Sequence, residues 1–417
     1  MHHFHYKGNE LYAEDVAIKE IVAKVGTPVY IYSHATLERH YKAMDDAFAA
    51  VPHTICYSMK ANSNLAVLKT FANLGGGVDI VSGGELYRAL KAGIDPKKIV
   101  YSGVGKKDDE IEYALKSGIL MFNVESEEEL ERINEIAGSL GTKAGIAIRV
   151  NPDVDPETHP YITTGLKKAK FGINIERSLG QYKRAAAMTN VEVIGIDCHI
   201  GSQLTKISPF VDTVKKLKRL IANLNEAGIR LRYFDLGGGL GITYSDEAPP
   251  LPADYGKAIV DETKGMGLHL VFEPGRNLVG NAGIMVGRCL YTKKGEEKNF
   301  VIVDAAMNDL ARPSLYGSYH GVQAVCKDQE GTVVADIVGP ICESGDFLAK
   351  DREMPRFRQG DLVAFMSAGA YGFAMSSNYN SRPRAAEVMV KGDTFTVIRE
   401  REVREDLIKG ESIPAFL

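Results

Sequence analysis

The chain has 417 residues, enough to bury one large hydrophobic core or two moderate ones, so two domains are expected. Its 50 basic and 54 acidic side chains give a formal net charge of −4, which excludes a general polyanion binder as the first interpretation and predicts no nucleic-acid partner. No apolar run reaches the length of a membrane span and the N-terminus has no apolar signal core, so we expect a cytoplasmic protein with no membrane partner.

The first elements in chain order are a predicted amphipathic helix at 12–24 and a strand candidate at 29–32. From residue 54 a regular alternation begins, in which short apolar strand-like runs are separated by helical patterns. The strand-like runs lie at 54–59, 77–81, 99–102, 120–124, 143–150, 193–199, 233–236 and 268–272. The helical patterns include 65–74, 84–92, 108–116, 126–136, 208–226 and 254–264, and serine-x-x-glutamate capping boxes are predicted at Ser82 and Ser126.

This alternation predicts parallel strands joined by right-handed crossovers. Eight such units over roughly 220 residues match a (β/α)8 TIM barrel, so the expected fold class is α/β. The strand candidate at 29–32 would be a ninth, and we assign it to the second domain. The expected domains are a barrel domain at 29–280 and a β-rich domain formed by 1–28 with 281–417.

The pattern changes after about residue 280, where strand-like runs follow one another without long helices. Lys391-Gly392-Asp393 joins the last two of them as a hairpin turn. We therefore expect a C-terminal antiparallel β-domain completed by the N-terminal residues. The long polar segment at 151–172 exceeds a normal crossover and is predicted to be an ordered loop over the active-site face. The strand-like runs after residue 280 lie at 284–291, 300–304, 332–338, 361–366, 387–390 and 394–398.

The five cysteines are scattered, odd in number and without CxxC spacing. This pattern predicts free thiols in a reducing compartment and no disulfide or zinc framework. They are Cys56, Cys198, Cys289, Cys326 and Cys342.

Polar residues follow several of the predicted barrel strands at their C-terminal ends, where such barrels carry their chemistry. Lys60 ends the first of these strands, His199 the sixth, and Glu273 follows the eighth. A lysine at the end of a buried strand can extend to solvent or form a salt bridge. Alternatively it stays partly buried, which disfavours its charged form, and the neutral amine can then form a Schiff base. His199 either faces a bound ring or is a satisfied core histidine.

The triple glycine 237–239 follows the seventh strand, at the position where these barrels often bind phosphate. Backbone N–H groups without Cβ atoms form an anion site, and Gly275 and Arg276 would add further donors. A lysine that can form an imine, facing a phosphate site, suggests pyridoxal 5′-phosphate (PLP) as the cofactor. Glu273 would then keep the pyridine nitrogen protonated; the alternative is a strand-end salt bridge between Glu273 and Arg276.

With these residues in this order, the chain resembles the diaminopimelate decarboxylases, within the alanine racemase-like (fold type III) group of PLP enzymes. The resemblance runs nearly from end to end, and its short motifs occur in the same order. They are 57–62 (YSMKAN), 79–86 (DIVSGGEL), 149–152 (RVNP), 170–173 (KFGI), 199–203 (HIGSQ), 237–239 (GGG), 273–276 (EPGR), 342–346 (CESGD), 369–372 (GAYG) and 379–384 (YNSRPR).

The resemblance implies a role for each matching residue. Lys60 would form the Schiff base with PLP, and Cys342 would donate the proton that replaces CO2. In this family Cys342 and its neighbour Glu343 come from the partner subunit, so a homodimer with shared active sites is expected. The implied cofactor-binding residues are Lys60, Asp79, His199, Ser202, Gly238, Gly239, Glu273, Gly275, Arg276 and Tyr371. The implied substrate-binding residues are Arg276, Arg312, Tyr316, Glu343 and Tyr371.

The implied reaction is the decarboxylation of a small amino-acid substrate, meso-2,6-diaminopimelate, to L-lysine. It needs a site from which water is excluded and a general acid, and it needs no metal. An arginine that pairs with a second carboxylate suits this substrate. The alternative role for Arg312 and Glu343 is a salt bridge between domains. Cys342 would otherwise be a small buried apolar residue.

Three other functions stay open at this stage. A related decarboxylase would act on ornithine, arginine or carboxynorspermidine, but a substrate with only a terminal amine has no use for Arg312. A racemase of this fold typically places arginine, not a carboxylate such as Glu273, at the pyridine nitrogen. A catalytically inactive regulator or PLP carrier would not need both Lys60 and Cys342.

Overall fold

The computed structural model of the chain describes residues 2–154 and 170–417. The chain divides into two compact units. The barrel unit consists of Glu38–Thr243 and Glu247–Leu278, and the β-rich unit consists of Met1–Leu37, Tyr244–Asp246 and Val279–Leu417.

Eight parallel strands close into a barrel in the barrel unit. The eighth strand pairs with the first, so no edge is left between them. The strands are rich in apolar residues, as expected where side chains fill the interior and helices cover the outside. In order they are His53–Ser58, Gly77–Ile80, Ile99–Tyr101, Met121–Val124, Ala144–Asn151, Val191–Asp197, Tyr233–Asp235 and His269–Phe272.

The helices between these strands follow the predicted pattern closely. Those of the barrel unit are Leu65–Asn73, Gly83–Ala92, Asp108–Ser117, Glu127–Ser139, Ile175–Ala186, Ser208–Glu226, Pro252–Thr263 and Arg276–Val279, and His34–Asp46 precedes the first barrel strand. Ser82 and Ser126 cap their helices through Oγ, as predicted. The reciprocal bond of each capping box is shifted by one residue. Glu85 accepts from the backbone N–H of Val81, and Glu129 accepts from that of Glu125.

The β-rich unit contains a three-stranded sheet and a larger mixed sheet. Its strands are Phe4–Lys7, Glu10–Ala13, Val16–Ala17, Val29–Ser33, Gly283–Lys294, Asn299–Val303, Val322–Ala324, Thr332–Val338, Phe347–Pro355, Leu362–Phe365, Ala386–Lys391 and Thr394–Arg399. Its helices are Ile18–Val25, Arg312–Tyr316 and Arg404–Leu407. The predicted hairpin at 391–393 is confirmed, since the last two strands pair antiparallel.

The predicted barrel with a separate β-domain is confirmed, but the second sheet is not purely antiparallel. Val29–Ser33 pairs parallel with Ala386–Lys391, and Asn299–Val303 pairs parallel with Thr332–Val338. Both pairs join strands that are distant in sequence or separated by a long connection, which strand-by-strand patterns do not reveal.

The strand Val29–Ser33 belongs to the mixed sheet, in agreement with its assignment to the second domain but not with a barrel domain that begins at residue 29. Tyr30 and Tyr32 pack into one apolar cluster, and Val29 and Ile31 into another. Successive side chains point to opposite faces of a strand, so a sheet covered on both faces buries all five residues.

The predicted helix at 12–24 is wrong in its first half. Glu10–Ala13 and Val16–Ala17 form strands, and the helix begins only at Ile18. The turn between the strands contains Glu14 at a φ of +51°, a left-handed conformation that a helix does not contain.

The predicted loop at 151–172 falls largely on residues 155–169, which lie outside the described residues. Within the two described stretches, no helix combines the length and apolar character that crossing a bilayer requires.

Candidate active site

Lys60 lies directly after the first barrel strand, in the short 3-10 turn Met59–Ala61. Its Nζ donates to Oδ2 of Asp79 at 2.8 Å, and the Oγ of Ser58 donates to the same oxygen at 2.8 Å. Asp79 is fully buried, whereas the Lys60 side chain is 37% exposed. The lysine therefore presents an amine at the barrel mouth while a buried carboxylate orients it, an arrangement compatible with both a salt-bridged and a Schiff-base lysine.

Three further carboxyl groups lie at the ends of the last three barrel strands. Oxygens of Asp197, Asp235 and Glu273 are within 4.8 Å of one another, and all three residues are buried. The Nδ2 of Asn123 donates to Oδ2 of Asp235 at 3.3 Å and to Oε1 of Glu273 at 3.2 Å, so one amide bridges both carboxyl groups. Ser102 Oγ also donates to Oε1 of Glu273, at 3.3 Å.

This carboxyl cluster has few cations near it. Arg149 pairs with Glu125 at 2.7 Å and lies 3.9 Å from Asp197. In the described parts of the chain, neither Asp235 nor Glu273 has an ion pair, so the predicted alternative of a Glu273–Arg276 salt bridge is not observed there. Burial and the neighbouring carboxylates raise the pKa of Glu273 well above its ordinary value. Burial raises the pKa of Asp235 to about 6.

The triple glycine forms a close-packed turn after the seventh strand. A Cβ on Gly238 would lie 2.1 Å from the carbonyl oxygen of Glu273, and one on Gly239 would lie 2.5 Å from that of Gly201. Gly239 also has a φ of +117°, which favours glycine. No larger residue fits at these two positions. The N–H of Gly237, the first glycine of the turn, donates to Oδ1 of Asp235 at 2.9 Å.

The predicted neighbours of this turn are also brought together. His199 accepts a hydrogen bond from the Gly238 N–H through Nδ1 at 3.2 Å. Burial lowers the pKa of His199 well below its ordinary value, with further contributions from Arg149 and Lys60, so its ring is neutral. The Nη2 of Arg276 donates to the Oγ of Ser202 at 3.1 Å, which joins the loop after the sixth strand to that after the eighth.

These residues fit PLP by the chemistry of their groups. An aldehyde needs an amine such as that of Lys60, a phosphate needs the donors of the glycine turn and Arg276, and a pyridinium needs a carboxylate such as Glu273. All of them belong to the barrel unit, as do Asp79, His199, Ser202 and Gly275.

The other predicted site residues, Arg312, Tyr316, Cys342, Glu343 and Tyr371, belong to the β-rich unit. Cys342 and Glu343 are exposed on the single chain, so Cys342 does not belong to the apolar core of the β-rich unit. The Cys342 N–H donates to Oδ1 of Asn380, and the Tyr379 hydroxyl donates to Oε2 of Glu343 at 2.7 Å.

Sequence reasoning gave no role to Ser102, Asn123, Asp197 or Asp235. Their signal was a polar residue inside or directly after an apolar barrel strand. A single strand does not show which other strand ends lie near it. In the closed barrel these strand ends lie close to Glu273.

Comparison with known proteins decides the family. Residues 34–280 match the family model described as "Pyridoxal-dependent decarboxylase, pyridoxal binding domain". The chain is 54% identical to the diaminopimelate decarboxylase of Pseudomonas aeruginosa over 410 residues, which covers 98% of this chain and 99% of the relative. The chain belongs to the diaminopimelate decarboxylases.

Solved structures of this family agree with the fold. The diaminopimelate decarboxylase of M. jannaschii in complex with L-lysine has a TM-score of 0.94 and 38% identity, covering 99% of this chain and 98% of that one. The enzyme of Helicobacter pylori in complex with L-lysine has a TM-score of 0.91 and 43% identity, covering 94% and 98%. The predictions of a PLP-dependent amino-acid decarboxylase and of PLP as its cofactor are thereby confirmed.

We expect Asp235→Asn to weaken the pH dependence of apo-protein stability. The folded-state pKa of Asp235, about 6, exceeds the ordinary pKa of an aspartate, 3.8, so the folded chain holds more protons between these values. Its free energy of unfolding therefore falls as pH rises through them. Asparagine does not titrate and can still accept from the Gly237 N–H. Between about pH 4 and about pH 8, the free energy of unfolding measured with denaturant should fall by on the order of 1–3 kcal/mol less in the variant than in the wild type. Equal falls in both proteins would contradict this.

Proposed function

We propose that this enzyme decarboxylates meso-2,6-diaminopimelate to L-lysine, as a homodimer whose two active sites are shared between subunits. The observation that carries the proposal is the barrel mouth, where the Lys60 amine, a glycine turn and the buried Glu273 carboxyl group come from adjoining strands. The names of the relatives, and the L-lysine bound in two solved relatives, support the choice of substrate and product. The cytoplasmic location stays a prediction.

In the barrel unit, Lys60 would hold the cofactor covalently through Nζ, and Asp79 orients that amine. Gly238, Gly239, Gly275, Arg276 and Ser202 would bind its phosphate, and His199 would lie against its ring. When bound, PLP supplies an electron sink for the pair released as the bond from Cα to the carboxylate breaks.

Glu273 would hold a proton at the pyridine nitrogen. Asn123 and Ser102 fix Oε1 of Glu273 from the side, so this carboxyl group has one orientation and little freedom to turn. The buried, water-poor surroundings strengthen its interaction with a positive charge.

Arg312 and Tyr316 of the β-rich unit, with Arg276 of the barrel unit, would bind the carboxylate at the non-reacting end of the substrate. Glu343 of the partner subunit would bind the ammonium group there. Tyr371 would complete the cofactor and substrate contacts. A guanidinium pairs bidentately with a carboxylate, so a substrate without that carboxylate leaves the arginine charge unmatched. This is the physical reason to favour diaminopimelate over ornithine, arginine or carboxynorspermidine.

Cys342 of the partner subunit would donate the proton that replaces CO2. The exposure of Cys342 and Glu343 on a single chain supports a site that is completed by a second chain. Asn380, which has a left-handed conformation with a φ of +56°, accepts a hydrogen bond from the Cys342 N–H and so holds the backbone at this residue.

We expect Cys342→Ala to reduce turnover by about 10²-fold, the usual scale for loss of a general acid, while PLP remains bound. Cys326→Ala, which removes another incompletely buried thiol, is the matched control and should retain full activity. Full activity of Cys342→Ala would rule out the thiol as proton donor.

Mixing the Lys60→Ala protein with the weakly active Cys342→Ala protein should give more activity than either variant has alone. If each site takes Lys60 from one subunit and Cys342 from the other, a mixed dimer contains one intact site. Activity should appear with the time course of subunit exchange. No recovery after exchange has been demonstrated by mass spectrometry would contradict shared sites.

The substrate assignment is tested by measuring CO2 release with meso-diaminopimelate, ornithine, arginine and carboxynorspermidine under identical conditions. We expect kcat/KM to be highest for meso-diaminopimelate, by at least about 10³-fold, because a buried charge is left unpaired with the others. Comparable rates with ornithine or arginine would overturn the proposed substrate.

A further inference from the structure

Arg312 has a buried histidine beside it. Arg312 begins the short helix Arg312–Tyr316, and His320 follows that helix in the chain. Both side chains are buried, with 6% exposure for Arg312 and 0% for His320. Nη1 of Arg312 lies 2.9 Å from Nε2 of His320, and Nδ1 of His320 lies 2.8 Å from the carbonyl oxygen of Met366.

These two contacts fix the protonation of the His320 ring. The Met366 carbonyl can only accept a hydrogen bond, so Nδ1 of His320 must carry the proton. A guanidinium can only donate, so Nε2 of His320 must offer its lone pair to Arg312. A doubly protonated ring would turn an N–H and a positive charge toward the arginine, which the buried setting penalises further. His320 is therefore the neutral Nδ1–H tautomer.

An aromatic ring lies against the same guanidinium. The Arg312 carbon Cζ lies 4.5 Å from the centroid of the Tyr244 ring, within the range of a cation–π contact. The Tyr244 ring also meets the His320 ring edge to face, with centroids 5.5 Å apart. The contact with Tyr244 supports the guanidinium on one side, and the hydrogen bond to His320 holds its Nη1. This bond uses one of the five guanidinium N–H donors.

We propose that His320 is a positioning residue that orients Arg312 to bind the distal carboxylate of the substrate. The proposal rests on the substrate-binding role of Arg312 given above and adds a specificity-determining residue to it. A carboxylate is bound bidentately only when the guanidinium fork has the right rotation. A freely rotating Arg312 would still attract the carboxylate but would discriminate less well in favour of diaminopimelate.

Two substitutions separate the hydrogen bond from the packing. His320→Phe keeps an aromatic ring and removes the acceptor, whereas His320→Gln keeps an acceptor oxygen at about the distance of Nε2. We expect His320→Phe to raise KM for meso-diaminopimelate about tenfold or more, the scale of one hydrogen bond to a charged group, with a much smaller change in kcat. His320→Gln should restore most of the KM. His269→Phe, a histidine replacement in the barrel unit, should leave KM unchanged.

A double-mutant cycle with Arg312→Ala distinguishes the possible failures. If His320 acts through Arg312, His320→Phe should have no further effect on KM in the Arg312→Ala background. An unchanged KM in His320→Phe, or the same factor in both backgrounds, would overturn this inference alone. An unchanged KM in Arg312→Ala would overturn the substrate-binding role of Arg312 and the inference with it.

The tautomer can be read without catalysis. In apo-protein labelled with ¹⁵N-histidine, His320 should show the neutral Nδ1–H form across the pH range in which the protein stays folded. His320→Phe identifies the signal by its loss. A His320 ring that is protonated at neutral pH, or that carries its proton on Nε2, would overturn the assignment.

Discussion

Lys60→Ala is expected to abolish the visible absorbance of bound PLP and to reduce decarboxylation on the order of 10³-fold or more. The amine of Lys60 is placed at the barrel mouth by the first strand and by its bond to Asp79, and alanine has no amine to react with the cofactor aldehyde. The measurements are the absorbance spectrum after incubation with PLP and the release of CO2.

Lys60→Arg is the matched variant for this experiment. Arginine keeps a cation beside the buried Asp79 but does not form an imine, so stability should be retained while absorbance and activity are lost. Lys60→Ala removes the cation as well, and its apo-protein should melt at a lower temperature than Lys60→Arg. Wild-type absorbance in either variant would remove Lys60 from its role.

Glu273→Gln is expected to reduce kcat by about 10²- to 10³-fold, the scale for loss of one oriented electrostatic group in a buried site. Glutamine has nearly the same shape and can still accept hydrogen bonds from Asn123 and Ser102. It cannot carry the negative charge that would hold a proton at the pyridine nitrogen. The cofactor should stay attached to Lys60, so absorbance is retained while turnover falls.

Glu273→Asp keeps the charge and moves it away from the ring by one methylene group. We expect an activity between those of the wild type and Glu273→Gln. A Glu273→Gln variant with wild-type kcat would show that the pyridine nitrogen needs no carboxylate here, and would reopen the comparison with racemases of this fold.

The barrel was predictable because each strand and each helix has its own local signal. Short apolar runs alternate with amphipathic stretches, and Ser82 and Ser126 mark helix starts that the structure confirms. The positions of Lys60, His199 and Glu273 at strand ends predicted that all three lie at one mouth of the barrel.

The remainder depended on contacts between residues far apart in sequence. Asn123 bridges Asp235 and Glu273, which are 112 and 150 residues away from it, and a local pattern carries no information about such a contact. The parallel pairing of Val29–Ser33 with Ala386–Lys391 is hidden for the same reason. The helix predicted at 12–24 failed because an apolar spacing of three or four residues also occurs by chance in two short strands joined by a turn.

His320 shows the same limit on a smaller scale. Its sequence neighbours give no sign of function, and only the folded chain brings its ring between Arg312 and the carbonyl of Met366.

In the most direct test, the PLP-loaded protein is reduced with borohydride and digested. The pyridoxyl label is then located by mass spectrometry. We predict a single labelled peptide with the modification on Lys60. A label on any other lysine, or no label on a protein that still releases CO2, would contradict the account.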